Sequence, residues 1–427
     1  MQEKLMVDVE TKGLPTKAFM RRLAFRFAGL LIIFSIQVLL ARLMGPKQFG
    51  HYAVITTIVL LLSTFSTFGF DSTAAFFLRH YMNEKNYGMA KGFIRYSNRF
   101  IFLSSIACGV GVFFFLLAFA KRFNISFSES LLWTMLMLPC LSLLRQTHVL
   151  IQFFGGKKAI LPITVTLPFL TFLGSLYYYH ANNKLTVDAV MMVAFLATLL
   201  LYFIYRSRLS RRLPEEFAEA TVEYSGIKWT HISVLHLIYD LVALLIRHLP
   251  VLLISYYMFN PDAGYFYAAL KLSALVGVSG SILEILSKEE VMEFHRRKQW
   301  KKLNEFVRTS VFKLLSIAIP VSLVLVVFGK SLLGLFGDTF VSMYPVLLLL
   351  VAAQVLIAIA SFTAKTYFNF STNYRYLLFL GGTLLVLLVS SVLLIPHFKT
   401  TGAAIALLIS AAFFNVMTSV RHGKKVK

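Results

Sequence analysis

About twelve continuous apolar runs, each close to the length of a membrane-crossing helix, fill most of this chain. A hydrocarbon core of about 30 Å takes roughly 20 apolar residues in a helix. Only 14% of the residues are charged, against about 25% in soluble domains, and the runs do not alternate as barrel strands do. The sequence therefore predicts an all-α polytopic membrane protein. The runs lie near residues 20–42, 49–70, 98–120, 130–154, 159–180, 187–205, 230–257, 264–286, 310–329, 340–364, 376–396 and 401–420.

Lysines and arginines collect on every second connection between the runs and give the chain a formal net charge of +23. The alternate connections, such as 45–48, 260–262 and 398–401, are short and hold few cations. Under the positive-inside rule, this bias predicts an even number of spans with both termini in the cytosol. The charge is therefore explained by topology and by attraction to membrane lipids, and it does not indicate a nucleic acid as partner.

The sequence contains no pattern that predicts an enzyme, a metal site or a bound cofactor. Cys108 and Cys140 lie inside apolar runs, where each is interpreted as a small buried hydrophobe. A Gly-rich phosphate loop, an HExxH pair and a nucleophile elbow do not occur. ATP-driven transport would therefore require another chain.

The two halves of the chain echo each other weakly. Residues 46–53 align with 261–268, and 93–97 align with 306–310, at offsets of 215 and 213 residues. Both matches fall at corresponding places, before the second and third helices of a half. We therefore expect two six-helix lobes related by a pseudo-two-fold axis along the membrane normal, an arrangement common in alternating-access transporters. The expected boundaries are 1–206 for the first lobe, 207–228 for a cytosolic linker and 229–427 for the second lobe.

The stretch Leu40–Ala53, LARLMGPKQFGHYA, resembles the outer turn between the first two helices of polysaccharide-export flippases. These are the lipid-linked oligosaccharide translocases of the multidrug/oligosaccharidyl-lipid/polysaccharide exporter superfamily. The resemblance implies a V-shaped pair of lobes in the bacterial inner membrane, around a cavity that opens alternately to each side. It implies a polyprenyl-pyrophosphate-linked oligosaccharide as substrate and polysaccharide assembly proteins as further partners. The related peptidoglycan-precursor flippases carry a basic residue in helix two, whereas this chain has no Arg or Lys between Lys47 and Arg79.

Charged side chains inside the runs are the candidates for function, because each costs about 2.5–3.5 kcal/mol at bilayer depth on insertion scales. In the seventh run, His236, Asp240 and Arg247 are four and seven residues apart and share one helical face. One interpretation makes Arg247 a cavity cation that binds substrate, with Asp240 and His236 as coupling or gating groups. The alternative is an internal ion pair between Asp240 and Arg247.

Three further cations are candidates for substrate binding. Arg145 in the fourth run lies about 15 Å from the cytosolic turn at 155–156, near the midplane. It either contacts the substrate or holds helices of the first lobe together through carbonyl contacts. Arg26 lies near the cytosolic mouth, where phosphate capture competes with snorkelling to headgroups. Lys271 lies towards the outer side and either snorkels or faces the cavity.

Two acids occupy matching places at the inner ends of the second and eighth helices. Asp71 corresponds to Glu284 at the repeat offset. These acids either pair with basic residues across the lobes and gate the cytosolic side, or pair locally with Arg79 and Lys288.

The sequence thus predicts a non-enzymatic transporter with fixed positive charge at bilayer depth. Pyrophosphate and sugars cannot cross hydrocarbon, and the planar fork of Arg suits phosphate oxygens. Arg145 and Arg247 are the expected central cations, no cofactor is expected, and Asp240 is the candidate for proton or sodium coupling. A multidrug/cation antiporter of the same superfamily is the main alternative, although its cavity should favour carboxylates. A membrane glycan polymerase or glycosyltransferase is a further alternative, which the short outer turns oppose.

Overall fold

The structure, a computed structural model, describes residues 16–123, 129–155, 163–258, 260–368 and 374–420. Helices fill these ranges, and no strand occurs in them. Nine of the helices in the described ranges are long and apolar enough to cross a membrane, so the predicted all-α polytopic class is confirmed. The elements are α1 (Thr16–Thr67), α2 (Phe70–Asn83), α3 (Tyr87–Phe123), α4 (Glu129–Gly155), α5 (Ile163–Asn182), α6 (Val187–Ser210), α7 (Glu216–Glu219), α8 (Gly226–Tyr257), α9 (Asn260–Arg296), α10 (Trp300–Gly334), a 3-10 turn (Asp338–Met343), α11 (Tyr344–Phe368) and α12 (Tyr374–Val420).

Helix α1 is a hairpin of two long arms. It bends at Gly45, where φ is 74°, a left-handed conformation that glycine adopts without steric cost, and Pro46 restarts the helix. Across the bend, Gln37 Nε2 donates a hydrogen bond to Tyr52 Oη at 3.5 Å, so the second arm runs back along the first. The short outer turn expected at 45–48 is therefore reduced to one non-helical residue.

Helix α12 repeats this arrangement near the end of the chain. Its bend lies at Lys399, where φ is 54°. Gly382 and Phe413 lie on opposite sides of the bend, and a Cβ atom added to Gly382 would be 3.3 Å from the Phe413 ring. A straight helix as long as the 44-residue apolar span of α12 would measure about 66 Å, twice the thickness of a hydrocarbon core. The bend lets both arms occupy the same thickness.

These bends define the two ends of the bundle. The turn end holds Gly45, the break after Tyr257 and Lys399, and the basic end holds the breaks at 84–86, 211–225 and 297–299. The halves of the chain are α1–α6 and α8–α12.

Helix α8 begins against the N-terminal half. The Trp229 side chain is fully buried, and its Nε1 donates to Tyr81 Oη at 2.8 Å. The preceding segment lies along α3, because Glu223 N donates to Gly88 O at 3.3 Å. Phe217 is also buried, although the glutamates around it are exposed. The linker expected at 207–228 therefore has an exposed acidic face and a buried face anchored on α2 and α3.

Candidate functional site

Arg145 of α4 is bound to Asp71 at the start of α2. Its Nη2 and Nε lie 2.8 and 3.2 Å from Asp71 Oδ2, and its Nη1 donates to the hydroxyls of Ser63 and Thr64 at 3.2 and 2.9 Å. The Asp71 side chain is 9% exposed and the Arg145 side chain 27%. Arg145 therefore joins α1, α2 and α4 through side chains, not through carbonyls, and the predicted pairing of Asp71 with Arg79 is wrong.

Asp240 of α8 reaches this ion pair from the C-terminal half. Ser72 Oγ donates to Asp240 Oδ2 at 2.5 Å, and Asp240 interacts electrostatically with Asp71, Arg145 and His236. Since Arg145 neutralises Asp71, an ionised Asp240 leaves one net negative charge in the group. We call this group the acidic cluster, and its members are Asp71, Ser72, Arg145, His236 and Asp240.

The predicted alternative of an ion pair between Asp240 and Arg247 is wrong. Arg247 is exposed, and within the described part of the chain it forms neither an ion pair nor a hydrogen bond. It interacts electrostatically with Lys271 and His248. The structure therefore separates the acid of α8 from its arginine and brings that arginine to a lysine of α9.

Arg247 and Lys271 form a cationic pair without an acidic partner among the described residues. Both lie about ten residues from the turn-end termini of their helices, which is about 15 Å along a helix and near the midplane. Lys271 Nζ lies 4.7 Å from the centroid of the Tyr267 ring, within cation–π range, and interacts electrostatically with Tyr52 of α1. Lys271 therefore faces the other half of the chain and does not snorkel.

Glu284 of α9 forms an ion pair with Lys365 of α11. Both carboxylate oxygens lie 2.8 Å from Lys365 Nζ, and the side chains are 27% and 33% exposed. In the repeat, α9 and α11 correspond to the second arm of α1 with α2 and to α4, so this pair and Asp71–Arg145 join corresponding helices. The prediction that Asp71 and Glu284 pair with basic residues of the opposite half is therefore wrong for this conformation.

At the turn end the two halves are in direct contact. The Phe49 ring lies 6.0–6.2 Å from the rings of Tyr267, Phe336 and Phe340, and all four are buried. A Cβ atom added to Gly264 would lie 2.8 Å from the Gly50 backbone, so only glycine permits this approach of α9 to α1. The turn end is thus sealed, and the cationic pair lies below the seal.

An arginine outside the predicted set also joins the halves here. Arg42 of α1 donates from Nε to Leu335 O and from Nη2 to Gly334 O. These carbonyls belong to the C-terminal end of α10, which carries partial negative charge. Arg42 therefore caps a helix of the other half.

Two kinds of residue remain: a predicted candidate whose side chain the structure does not describe, and site residues that the sequence analysis did not single out. The side chain of Arg26 lies outside the described part, so its role stays a prediction. Among described residues, no group of three or more His, Cys, Asp or Glu side chains could hold a metal ion. Lys365 was not predicted. The repeat offset of 213 residues places the counterpart of Arg145 two helical turns before Lys365, on the same face of α11. Ser72 and Gln37 carried no signal, because the contacts of an uncharged polar side chain depend on which helices meet.

A family sequence profile matches most of the chain. The family described as "Polysaccharide biosynthesis protein" matches residues 39–345. Among curated proteins, no sequence matches the chain.

Solved membrane transporters share the fold at low sequence identity. A multidrug resistance MATE family transporter of the MOP superfamily, in an inward-facing conformation, has a TM-score of 0.69 at 12% identity, over 93% of this chain and 95% of its own. The lipid II flippase MurJ, in an inward closed conformation, has a TM-score of 0.65 at 12% identity, over 93% and 86%. The MATE multidrug transporter DinF-BH has a TM-score of 0.67 at 14% identity, over 97% and 96%. These similarities establish a common fold.

Proposed function

Because the chain belongs to the polysaccharide biosynthesis protein family, we propose that it translocates a polyprenyl-pyrophosphate-linked oligosaccharide across the bacterial cytoplasmic membrane by alternating access. The MOP-type fold with its flippase and transporter neighbours supports a membrane transporter in place of an enzyme. The proposal includes twelve crossings in two six-helix lobes, with both termini in the cytosol. The hairpins of α1 and α12 and the basic connections at one end support this layout.

The observation that carries the proposal is the cationic pair. Two cations at bilayer depth, about 15 Å from the turn end, lack an acid among the described residues. Such charges are costly unless an anion accompanies them. A pyrophosphate provides two adjacent anionic groups, and the guanidinium of Arg247 suits its oxygens. The prenyl chain would remain in the lipid between the lobes.

The sealed turn end supports the assignment of this conformation as closed towards the outside. If the basic end faces the cytosol, the proposal requires a cavity between the halves that the lipid-linked substrate enters from inside, with the cationic pair at its outer end. Translocation would then require the seal of Phe49, Phe336 and Phe340 to separate and the basic end to close. The acidic cluster lies between the two ends and contacts both halves through Ser72 and Asp240.

A multidrug/cation antiporter remains the second candidate, because solved neighbours include multidrug transporters. Purified protein in proteoliposomes distinguishes the two. We expect it to move a polyprenyl-pyrophosphate oligosaccharide between leaflets, measured by loss of lectin access on one face, and not to move a lipophilic cationic dye. Dye transport without movement of the glycan lipid would favour the antiporter.

Asp240 is the proposed coupling residue. Asp240→Asn keeps an oxygen that can accept the Ser72 hydrogen bond and removes the charge that a proton or sodium ion would neutralise. Translocation by this variant should no longer respond to an imposed proton or sodium gradient. The measurement is the initial rate in proteoliposomes with and without each gradient.

Ser72→Ala is the matched control for this experiment. It removes the hydrogen bond but keeps the Asp240 charge, so its gradient dependence should persist. Unchanged gradient dependence in Asp240→Asn would assign the carboxylate a structural role only.

A further inference from the structure

Gln37 lies in the first arm of α1, where its buried amide is only half satisfied. The residue is 5% exposed. Its Nε2 donates to Tyr52 Oη at 3.5 Å, and its Oε1 has no partner among the described residues. Rotating the amide would exchange the two atoms and leave the nitrogen without a partner instead. A buried polar atom without a hydrogen bond is costly, so this position calls for a ligand or an ordered water.

Two further buried polar atoms belong to residues that are connected to Gln37 through Tyr52 and Lys271. Thr56 Oγ1 and His248 Nδ1 are buried and make no hydrogen bond of good geometry to a described residue, although the Thr56 hydroxyl lies beside that of Tyr52. Thr56 is four residues from Tyr52, so the two share a face of the second arm of α1. His248 interacts electrostatically with both members of the cationic pair. We call Gln37, Thr56 and His248 the polar pocket.

The polar pocket lies at the depth of the cationic pair and next to it. Gln37 and Thr56 flank the bend at Gly45 at about 12 and 16 Å along the two arms of α1. Tyr52 connects them to the pair, because its hydroxyl accepts from Gln37 and interacts with Lys271. Tyr267, one helical turn from Lys271 towards the turn end, adds an aromatic ring to the same region.

We propose that the polar pocket binds hydroxyl groups of the glycan, on the sugar attached directly to the pyrophosphate. This inference rests on the proposed function. An amide and an imidazole can each present a donor or an acceptor, and a hydroxyl group offers both, whereas a phosphate at neutral pH offers mainly acceptors. In a glycosyl pyrophosphate the first sugar follows the phosphate directly. Phosphates held by Arg247 and Lys271 therefore bring that sugar to the pocket.

This placement assigns the two parts of the site different tasks. The cationic pair binds what all polyprenyl-pyrophosphate substrates share, and the polar pocket distinguishes one first sugar from another. A sugar that leaves a pocket atom without a partner would be disfavoured, which is the basis of discrimination by hydrogen bonds.

The test compares two lipids on the purified full-length protein. One is a polyprenyl pyrophosphate that carries a single N-acetylhexosamine, and the other is the same polyprenyl pyrophosphate without sugar. Gln37→Leu and Thr56→Val each remove polar atoms with little change in volume, and each should weaken binding of the glycosylated lipid about threefold to tenfold. Binding of the lipid without sugar should stay unchanged. Ser279→Ala is the matched control, because among the described residues this buried hydroxyl bonds only to its own helix, and it should change neither affinity.

The outcomes separate this inference from the proposed function. If either variant binds the glycosylated lipid more weakly and the sugar-free lipid normally, the polar pocket is supported as a sugar site. If binding of both lipids weakens equally, or if neither weakens, the inference is overturned. The pocket would then serve phosphate binding, helix packing or an ordered water. If the unaltered protein binds neither lipid, the proposed function fails and the sugar site fails with it.

Discussion

Replacing Arg247 with glutamine should lower the affinity for a polyprenyl-pyrophosphate lipid about tenfold to a hundredfold, the worth of a charge-assisted hydrogen bond. Translocation at limiting substrate should fall by a similar factor. Stability should change by no more than about 0.5 kcal/mol, because Arg247 has neither an ion pair nor a hydrogen bond within the described residues. Lipid binding to purified protein and its thermal denaturation temperature are the two measurements.

Two variants control this experiment. Lys228→Gln removes an exposed cation from the basic end of the same helix and should leave binding unchanged. Arg247→Lys keeps the charge but loses the planar fork, so it should recover part of the affinity. Normal binding by Arg247→Gln at equal protein level would contradict the assignment of Arg247 to the substrate.

Replacing Arg145 with methionine should chiefly destabilise the protein. The change leaves Asp71 unpaired at 9% exposure, and removing one partner of a buried ion pair costs about 3–5 kcal/mol. The hydrogen bonds to Ser63 and Thr64 are lost as well. The expected result is a lower denaturation temperature in detergent and less folded protein in the membrane.

The contrast with matched variants makes this prediction specific. The double variant Asp71→Asn with Arg145→Met removes the orphaned charge and should recover much of the stability. Lys365→Met breaks the corresponding pair in the other half, where both partners are more exposed, so its effect should be smaller. If Arg145→Met were as stable as the unaltered protein but unable to bind the lipid, Arg145 would be a substrate ligand, as the sequence also allowed.

The membrane class and most helix positions could be predicted because each crossing must satisfy its backbone internally and present apolar side chains to lipid. Each crossing therefore appears in the sequence as a continuous run of apolar residues. The repeat was also visible, and it placed Asp71 and Glu284 at corresponding positions. Their partners, Arg145 and Lys365, were not paired with them, because contacts between helices depend on packing and not on local spacing.

The assignment of the α8 charges shows the same limit. A shared helical face made an Asp240–Arg247 pair reasonable, yet Asp240 meets Ser72 of α2 and Arg247 turns towards Lys271 of α9. Seven residues span about 10 Å, enough for two side chains on one face to meet different neighbours. Spacing could therefore identify which residues matter, but not which helix each one touches.

The bond from Arg42 to α10 ends on main-chain oxygens, and that gives it an unusual independence from sequence. Substitution at positions 334 or 335 would preserve the acceptors, since every residue type supplies a carbonyl. Sequence changes in α10 would therefore leave this contact between the two halves intact. Only the loss of the arginine itself would remove it.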